Sequence, residues 1–195
     1  GLGFKNLIYM VVEVLDFHQA WAAAEQERPP IHLLLIEEPE AHLHAQLQQV
    51  FIRKILEILP APEASFQTQL VVTTHSPHII YESNFKPIRY FCRSVTEEGL
   101  QCSEVKNLST FYDEEEVRTR EFLQQYIKLT HCDLFFADAA VLVEGNVERL
   151  LLPLVIERFV PDLQSCHLTI LEVGGAFAHR FEKLVDFLSL PTLVI

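Results

Sequence analysis

The sequence predicts an α/β protein built on parallel strands. Two observations carry this. Short aliphatic runs, LLLI at 33–36 and AVLV at 140–143, each end abruptly at acids and lead into a helical pattern. Apolar runs of this length, bounded by a breaker, suit strands buried in a parallel sheet. The chain also alternates strand and helix patterns, with a clear β-α-β-α-β order from residue 140 to the last residue, which calls for right-handed crossovers.

The elements follow in order. Gly1-Leu2-Gly3-Phe4-Lys5-Asn6 reads as a glycine-rich turn before a strongly apolar helix at 7–28, which Pro29 and Pro30 stop. Such a turn is either a ready anion site or simply the start of a core helix. Residues 31–36 form a strand that delivers Glu37 and Glu38. Pro39 forces a turn, and a helix at 41–59 repeats Leu43, Leu47, Val50, Phe51, Ile55 and Ile58 at nearly helical spacing. A second strand at 69–73 runs into Thr74-His75-Ser76-Pro77. Residues 87–93 and 99–106 read as a hairpin turning at Glu97-Glu98-Gly99. The acids Asp113 to Glu116 open a helix to about residue 129, where they complement the helix dipole. The pattern restarts near 130–134, and a domain boundary is expected near residue 131. A strand at 140–143 ends in Glu144-Gly145, a helix spans 146–159, and a strand at 167–173 ends in Gly174-Gly175. A helix at 176–188 and a strand at 192–195 complete the order.

Composition narrows the function classes. Of 195 residues, 49% are hydrophobic, so the chain is globular. The net charge of -12 argues against a protein that coats nucleic acid with a broadly basic surface. It leaves room for a metal-dependent nuclease, whose site is itself acidic. No signal peptide opens the sequence, and no apolar run approaches membrane-spanning length. Cys92, Cys102, Cys132 and Cys166 lack CxxC spacing and read as reduced thiols of a cytoplasmic protein. Both ends read as cut, because there is no initiator Met and the strand at 192–195 stops before its turn.

Two constellations bear chemistry. In a parallel sheet, ligands bind beyond the carboxyl ends of the strands. Acids placed there are costly unless a cation meets them. Nucleotide hydrolysis needs a metal on the β- and γ-phosphates, an orienter for the attacking water and a polar group on the γ-phosphate. Glu37 suits the metal, Glu38 the water and His75, at the end of the next strand, the γ-phosphate. Singly, a Glu-Glu pair after a strand is a solvated helix start and a histidine there is structural; the joint pattern of strand, Glu-Glu-Pro-Glu, helix, strand and Thr-His-Ser-Pro is the specific signal. The second constellation, VLVEGNVE at 141–148, repeats the device. Glu144 ends a strand, Gly145 permits the turn, and Glu148 falls in the first turn of the next helix. Two such carboxylates can share Mg²⁺ or Mn²⁺ for phosphodiester cleavage. Alternatively, Glu148 only favours the helix N-terminus. His179 and Arg180 are further candidates to face phosphate, while His42, His44, His131 and His167 lack ligand-like partners in the sequence.

LLLIEEPEAHLH followed by QLVVTTHSPHII resembles the Walker B, D-loop and switch-histidine segments of ABC-type ATPases. The variant is similar to that of recombination-repair ATPases and of the OLD (overcoming lysogenization defect) nucleases. This resemblance implies that Glu37 is the Mg²⁺-associated acid, Glu38 the catalytic glutamate and His75 the switch histidine. Residues 41–46 then fall at the D-loop, at a dimer interface. Gly1-Leu2-Gly3 with Asn6 resembles the signature-type loop, which contacts nucleotide bound to a partner subunit. The sequence contains no G-x-x-x-x-G-K-[ST], so this stretch by itself is not expected to cradle ATP phosphates. VLVEGNVE, with the strand ending Glu172-Val173-Gly174-Gly175 and the following helix and strand, resembles the Toprim domain of OLD-family nucleases. Glu144 and Glu148 carry over as catalytic and metal-binding acids, and an Asp-x-Asp pair is expected after the strand that reaches Ile195.

The implied architecture is the C-terminal part of an ABC-type ATPase domain at 1–130 followed by the N-terminal part of a Toprim nuclease domain at 131–195, both truncated. The implied activity is an ATP-regulated, Mg²⁺- or Mn²⁺-dependent DNA endonuclease, in anti-phage defence or DNA repair, with this stretch alone inactive. A homodimer or higher homo-oligomer through the ATPase domain and a helicase or effector partner are implied as well, with no membrane association. Two alternatives remain open at this point: a repair or structural ATPase with a non-cleaving Toprim, and a Toprim effector that cuts RNA.

Overall fold

A computed structural model describes residues 1–24, 27–41, 43–59, 66–83, 85, 87–114, 121, 123, 125–127, 132–174 and 178–195. The chain divides into two compact units, Gly1–Glu82 and Ser83–Ile195. The boundary expected near residue 131 falls where residues 128–131 lie outside the described set, as do His42, His131 and Gly175.

In the first unit, helix α1 (Leu2–Ala22) leads to strand β1 (Ile31–Glu37), helix α2 (Ala45–Ile58), strand β2 (Gln67–Thr73) and the short helix α3 (Pro77–Glu82). Strands β1 and β2 pair in parallel from Ile31 opposite Gln67 to Glu37 opposite Thr73. The connection through α2 is therefore the expected β-α-β crossover. Period-2 alternation sends Leu34, Ile36, Leu70 and Val72 to one face, where they pack with Val14 of α1 and with Phe51, Ile52 and Ile55 of α2. Phe51 and Ile55 are fully buried. The other face of β1 is not buried as the sequence led one to expect: Leu33 is 51% and Leu35 70% exposed. Within this unit the helices described pack on the opposite face, and a strand can hide only one set of alternating side chains against them.

Two helix boundaries also differ from expectation. Helix α1 already starts at Leu2, with Gly1 as its N-cap residue, so the glycine-rich turn is the helix's own first turn. Helix α2 starts at Ala45 after a compact turn. In that turn the Ala41 N–H donates to the Glu38 carbonyl and the Leu43 N–H to the Glu40 carbonyl, which postpones the helix by four residues.

The second unit opens with the antiparallel hairpin of β3 (Arg89–Val95) and β4 (Gln101–Asn107). Gly99, at φ +80°, takes the left-handed position of its turn. Helix α4 (Leu108–Glu114) starts earlier than the acid run suggested, and most of the continuation to 129 lies outside the described residues. After a 3₁₀ turn at Cys132–Phe136 come β5 (Ala139–Val143), α5 (Asn146–Phe159), β6 (Leu168–Glu172), α6 (Ala178–Leu188) and β7 (Thr192–Val194). The three strands are parallel in the order β6-β5-β7, so β5 is central. Four of its five residues are buried. Helix α6 seals the unit with Phe181, Leu184, Val185 and Leu188. The four cysteines carry free thiols, and among the described residues no helix is long and apolar enough to cross a membrane.

Candidate functional site

The first site lies at the carboxyl ends of β1 and β2. Register places Glu37 opposite Thr73, the last residues of the two strands. The Glu38 N–H continues the ladder by donating to the Thr73 carbonyl at 3.0 Å. Glu38 itself sits at φ +39°, in the left-handed region that costs a non-glycine residue about 1–3 kcal/mol. That backbone turns its carboxylate out of the strand direction, towards the end of β2. His75 Nε2 lies 3.5 Å from Glu38 Oε1, with both side chains more than half exposed. The two groups singled out from adjacent strand ends are thus brought together.

A layer of polar contacts under this pair was not evident in the sequence. Glu40 Oε1 accepts the His75 N–H at 2.6 Å and the Thr74 hydroxyl at 2.9 Å. Ser76, 5% exposed, donates its hydroxyl to Gln48 Oε1 at 2.6 Å and accepts the N–H groups of His78 and Ile79. Gln48 in turn donates Nε2 to the Leu43 carbonyl at 2.8 Å. The turn after β1 and the turn after β2 are therefore joined through side chains. Glu40 stood in the same EEPE run as its neighbours; the missing signal was its partners, which lie 34 and 35 residues away.

Gly1 and Gly3 lie in and before the first turn of α1. The first N–H groups of a helix lack intrahelical acceptors, which suits an anion.

The second site lies at the carboxyl end of β5. Glu144 is exposed immediately past the strand, Gly145 is the N-cap residue of α5, and Glu148 lies in that helix's first turn. A Cβ on Gly145 would stand 3.3 Å from Glu148 Oε2, so the Glu148 carboxylate reaches back to the glycine that follows Glu144. The neighbouring strand ends at the same level: Val143 pairs with Glu172, and the Val173 N–H donates to the Val143 carbonyl. Gly174 then turns the chain at φ +56°, in the left-handed region that glycine takes without strain. Tyr126 donates its hydroxyl to the Glu172 carbonyl, and its pKa is raised by burial and by the Glu172 charge, partly offset by Arg149. His179 and Arg180 fall in the first turn of α6.

Both sites offer carboxylate oxygens, the donors preferred by hard divalent cations. Among the described residues, no group of three His, Cys, Asp or Glu side chains is arranged to hold a metal ion.

Comparison with known proteins divides the chain between the same two sites. Residues 1–80 match the model of the AAA ATPase domain. Residues 135–195 match that of the overcoming lysogenization defect protein-like TOPRIM domain. The second of these matched segments is thus similar to a domain of OLD-type proteins. Among the chain's relatives is the "Endonuclease GajA" of Bacillus cereus (strain HuB5-5), 31% identical over the whole of this chain and 30% of that protein. The "OLD nuclease" of Thermus scotoductus is 27% identical over the whole chain and 34% of its own length. The "Septu protein PtuA" of Bacillus thuringiensis is 32% identical over 40% of this chain and 19% of its own length. The chain thus spans about a third of the GajA and OLD relatives. The ATPase match contains Glu37, Glu38, Glu40 and His75, and the TOPRIM match contains Glu144 and Glu148.

Proposed function

We propose that this chain belongs to an ATP-regulated, divalent-metal-dependent DNA endonuclease of the OLD type, serving anti-phage defence or DNA repair. One observation carries the reading: a single chain places an acid pair at a strand end in its AAA ATPase segment and another in its TOPRIM segment. Residues 1–130 serve the ATPase part and 131–195 the nuclease part.

In the ATPase part, Glu37 holds the Mg²⁺ that accompanies ATP, Glu38 orients the attacking water, and His75 hydrogen-bonds the γ-phosphate. The 3.5 Å approach of His75 to Glu38 supports this, since both groups reach the same small volume. Gly1 and Gly3 offer the first-turn N–H groups of α1 to nucleotide on a second copy, which makes the functional unit a homodimer or higher homo-oligomer. In the nuclease part, Glu144 and Glu148 hold Mg²⁺ or Mn²⁺. When bound there, the cation supplies an activated water and charge neutralisation at the cleaved phosphodiester. Glu144 follows the central strand β5, which β6 and β7 flank, and so stands at the carboxyl end of the parallel sheet, where ligands bind. The Ile195 N–H donates to the Leu142 carbonyl, so a chain continuing in this register would pass beside Glu144. DNA is the substrate, a helicase or effector protein is the partner, and the compartment is the cytoplasm.

The test uses the natural protein that carries this sequence. Glu38→Gln is expected to stop ATP hydrolysis, and Glu144→Ala to stop DNA cleavage in Mg²⁺ or Mn²⁺. Normal hydrolysis by Glu38→Gln would overturn the first assignment, and normal cutting by Glu144→Ala the second. Parallel incubation with tRNA decides the nucleic acid: cleavage of tRNA alone would move the substrate to RNA.

A further inference from the structure

The turn after β1 holds a carboxylate that the proposed hydrolysis does not use. Glu40 follows the buried Pro39, and its side chain leaves its own strand to meet the residues after β2. There Oε1 takes two hydrogen bonds at once, from the His75 N–H at 2.6 Å and from the Thr74 hydroxyl at 2.9 Å. Bonds to an ionised acceptor are shorter and stronger than neutral ones, and two on one oxygen fix its direction. The ladder between the strands has ended just before, with Glu37 opposite Thr73 and the Glu38 N–H on the Thr73 carbonyl. The next anchor is Ser76, tied to Gln48. Between those anchors, Glu40 ties the His75 backbone N–H and the Thr74 hydroxyl to the turn bearing Glu38. Its other oxygen, Oε2, is buried without a hydrogen-bond partner among the described residues. The carboxylate is therefore committed inward and does not face a ligand.

We propose that Glu40 is a positioning residue: it acts through the His75 backbone to set the distance between the His75 ring and the Glu38 carboxylate. The inference rests on the reading of Glu38 and His75 as the hydrolytic pair. Chemical steps are steep in geometry; a misplacement of about 1 Å can cost about 10²-fold in rate. Because Glu40 does not touch nucleotide, its loss falls on kcat for ATP and leaves KM nearly unchanged. Its loss also vanishes once the His75 ring is gone.

The experiment measures steady-state ATP hydrolysis by the natural full-length protein, with thermal melting as a check on folding. Glu40→Asp keeps the charge but withdraws the carboxylate by one methylene, so it cannot reach both donors. Glu40→Gln keeps an oxygen acceptor at full reach. The expected result is a kcat loss of about 10- to 100-fold for Glu40→Asp, a smaller loss for Glu40→Gln, and KM for ATP within about twofold of wild type. In a His75→Ala background, Glu40→Asp should remove no further activity. A folded Glu40→Asp protein with wild-type kcat would overturn the proposal. So would additive losses in the double variant, or a loss confined to KM. Glu38→Gln separates the two levels of the argument. If it hydrolyses ATP normally, the hydrolytic reading has failed; if it is inactive while Glu40→Asp is normal, only the positioning role has failed.

Discussion

Ser76→Ala tests whether the polar layer beneath His75 holds the ATPase-side strand end together. Ser76 is 5% exposed at the junction of β2 and α3. Its hydroxyl donates to Gln48 Oε1 at 2.6 Å and accepts the His78 N–H at 3.1 Å and, more weakly, the Ile79 N–H at 3.4 Å. The second role is that of a helix N-cap, whose removal costs about 1 kcal/mol. The first leaves a partly buried amide oxygen without its donor, a further loss of about 1 kcal/mol or more. Alanine nearly fills the volume, so cavity formation adds little. The expected destabilisation is about 2–3 kcal/mol. Urea unfolding of the natural protein measures it, as a lower midpoint with unchanged slope. A double-mutant cycle with Gln48→Ala isolates the bond between them, with an expected coupling of roughly 0.5–1.5 kcal/mol. A Ser76→Ala loss below about 0.5 kcal/mol, within the range of an ordinary surface change, would refute the reasoning. Strict additivity in the cycle would do the same.

Two further predictions concern other parts of the chain. Gly145 has an extended backbone, φ -150° and ψ 179°, that alanine tolerates, but its Cβ would stand 3.3 Å from Glu148 Oε2. Gly145→Ala should leave stability within about 0.5 kcal/mol and slow metal-dependent cleavage several-fold, with no added effect in a Glu148→Ala background; kinetics at saturating Mg²⁺ read this out. His32 stacks on both Trp21 and His18, whose rings also meet each other, and its pKa is lowered by burial and then by the His18 charge. A folded-state pKa below 6.5 means the unfolded chain takes up the proton first, so stability is lost as pH falls from about 6.5 through the folded value. Melting temperatures at pH 7.5 and 5.5 should differ less for His32→Phe than for wild type; an equal difference would contradict this.

How far the fold could be read in advance depended on how local its causes were. The strand ending at Glu37 and the helix at Asn146–Phe159 have local causes: an apolar run, a glycine and the helical spacing around it. The parallel pairing of β5, β6 and β7 followed from the alternation of elements, whereas their spatial order, β6-β5-β7, was not among the expectations. The late start of α2 had no local cue, because the turn before it is held by hydrogen bonds that involve Glu38 and Glu40 backbones and by Glu40's reach to β2. The exposed Leu33 and Leu35 were unreadable for the opposite reason. An aliphatic run states that a strand wants covering on both faces, and not which face the packed helices take. At the candidate sites, residue identity marked Glu37, Glu38, His75, Glu144 and Glu148. The carboxylate and amide ties of Glu40 and Gln48 depend on partners from another strand end, which spacing does not encode.

The central claim is that the acid at the end of β5 performs metal-dependent cleavage. Its most direct test is the rate at which the natural protein and its Glu144→Ala variant cut DNA in Mg²⁺ or Mn²⁺, both shown to be folded by the same melting temperature. The account predicts cutting by the wild type that disappears with chelator, and only background cutting by Glu144→Ala at every metal concentration. Metal-dependent cutting by Glu144→Ala at the wild-type rate would contradict it.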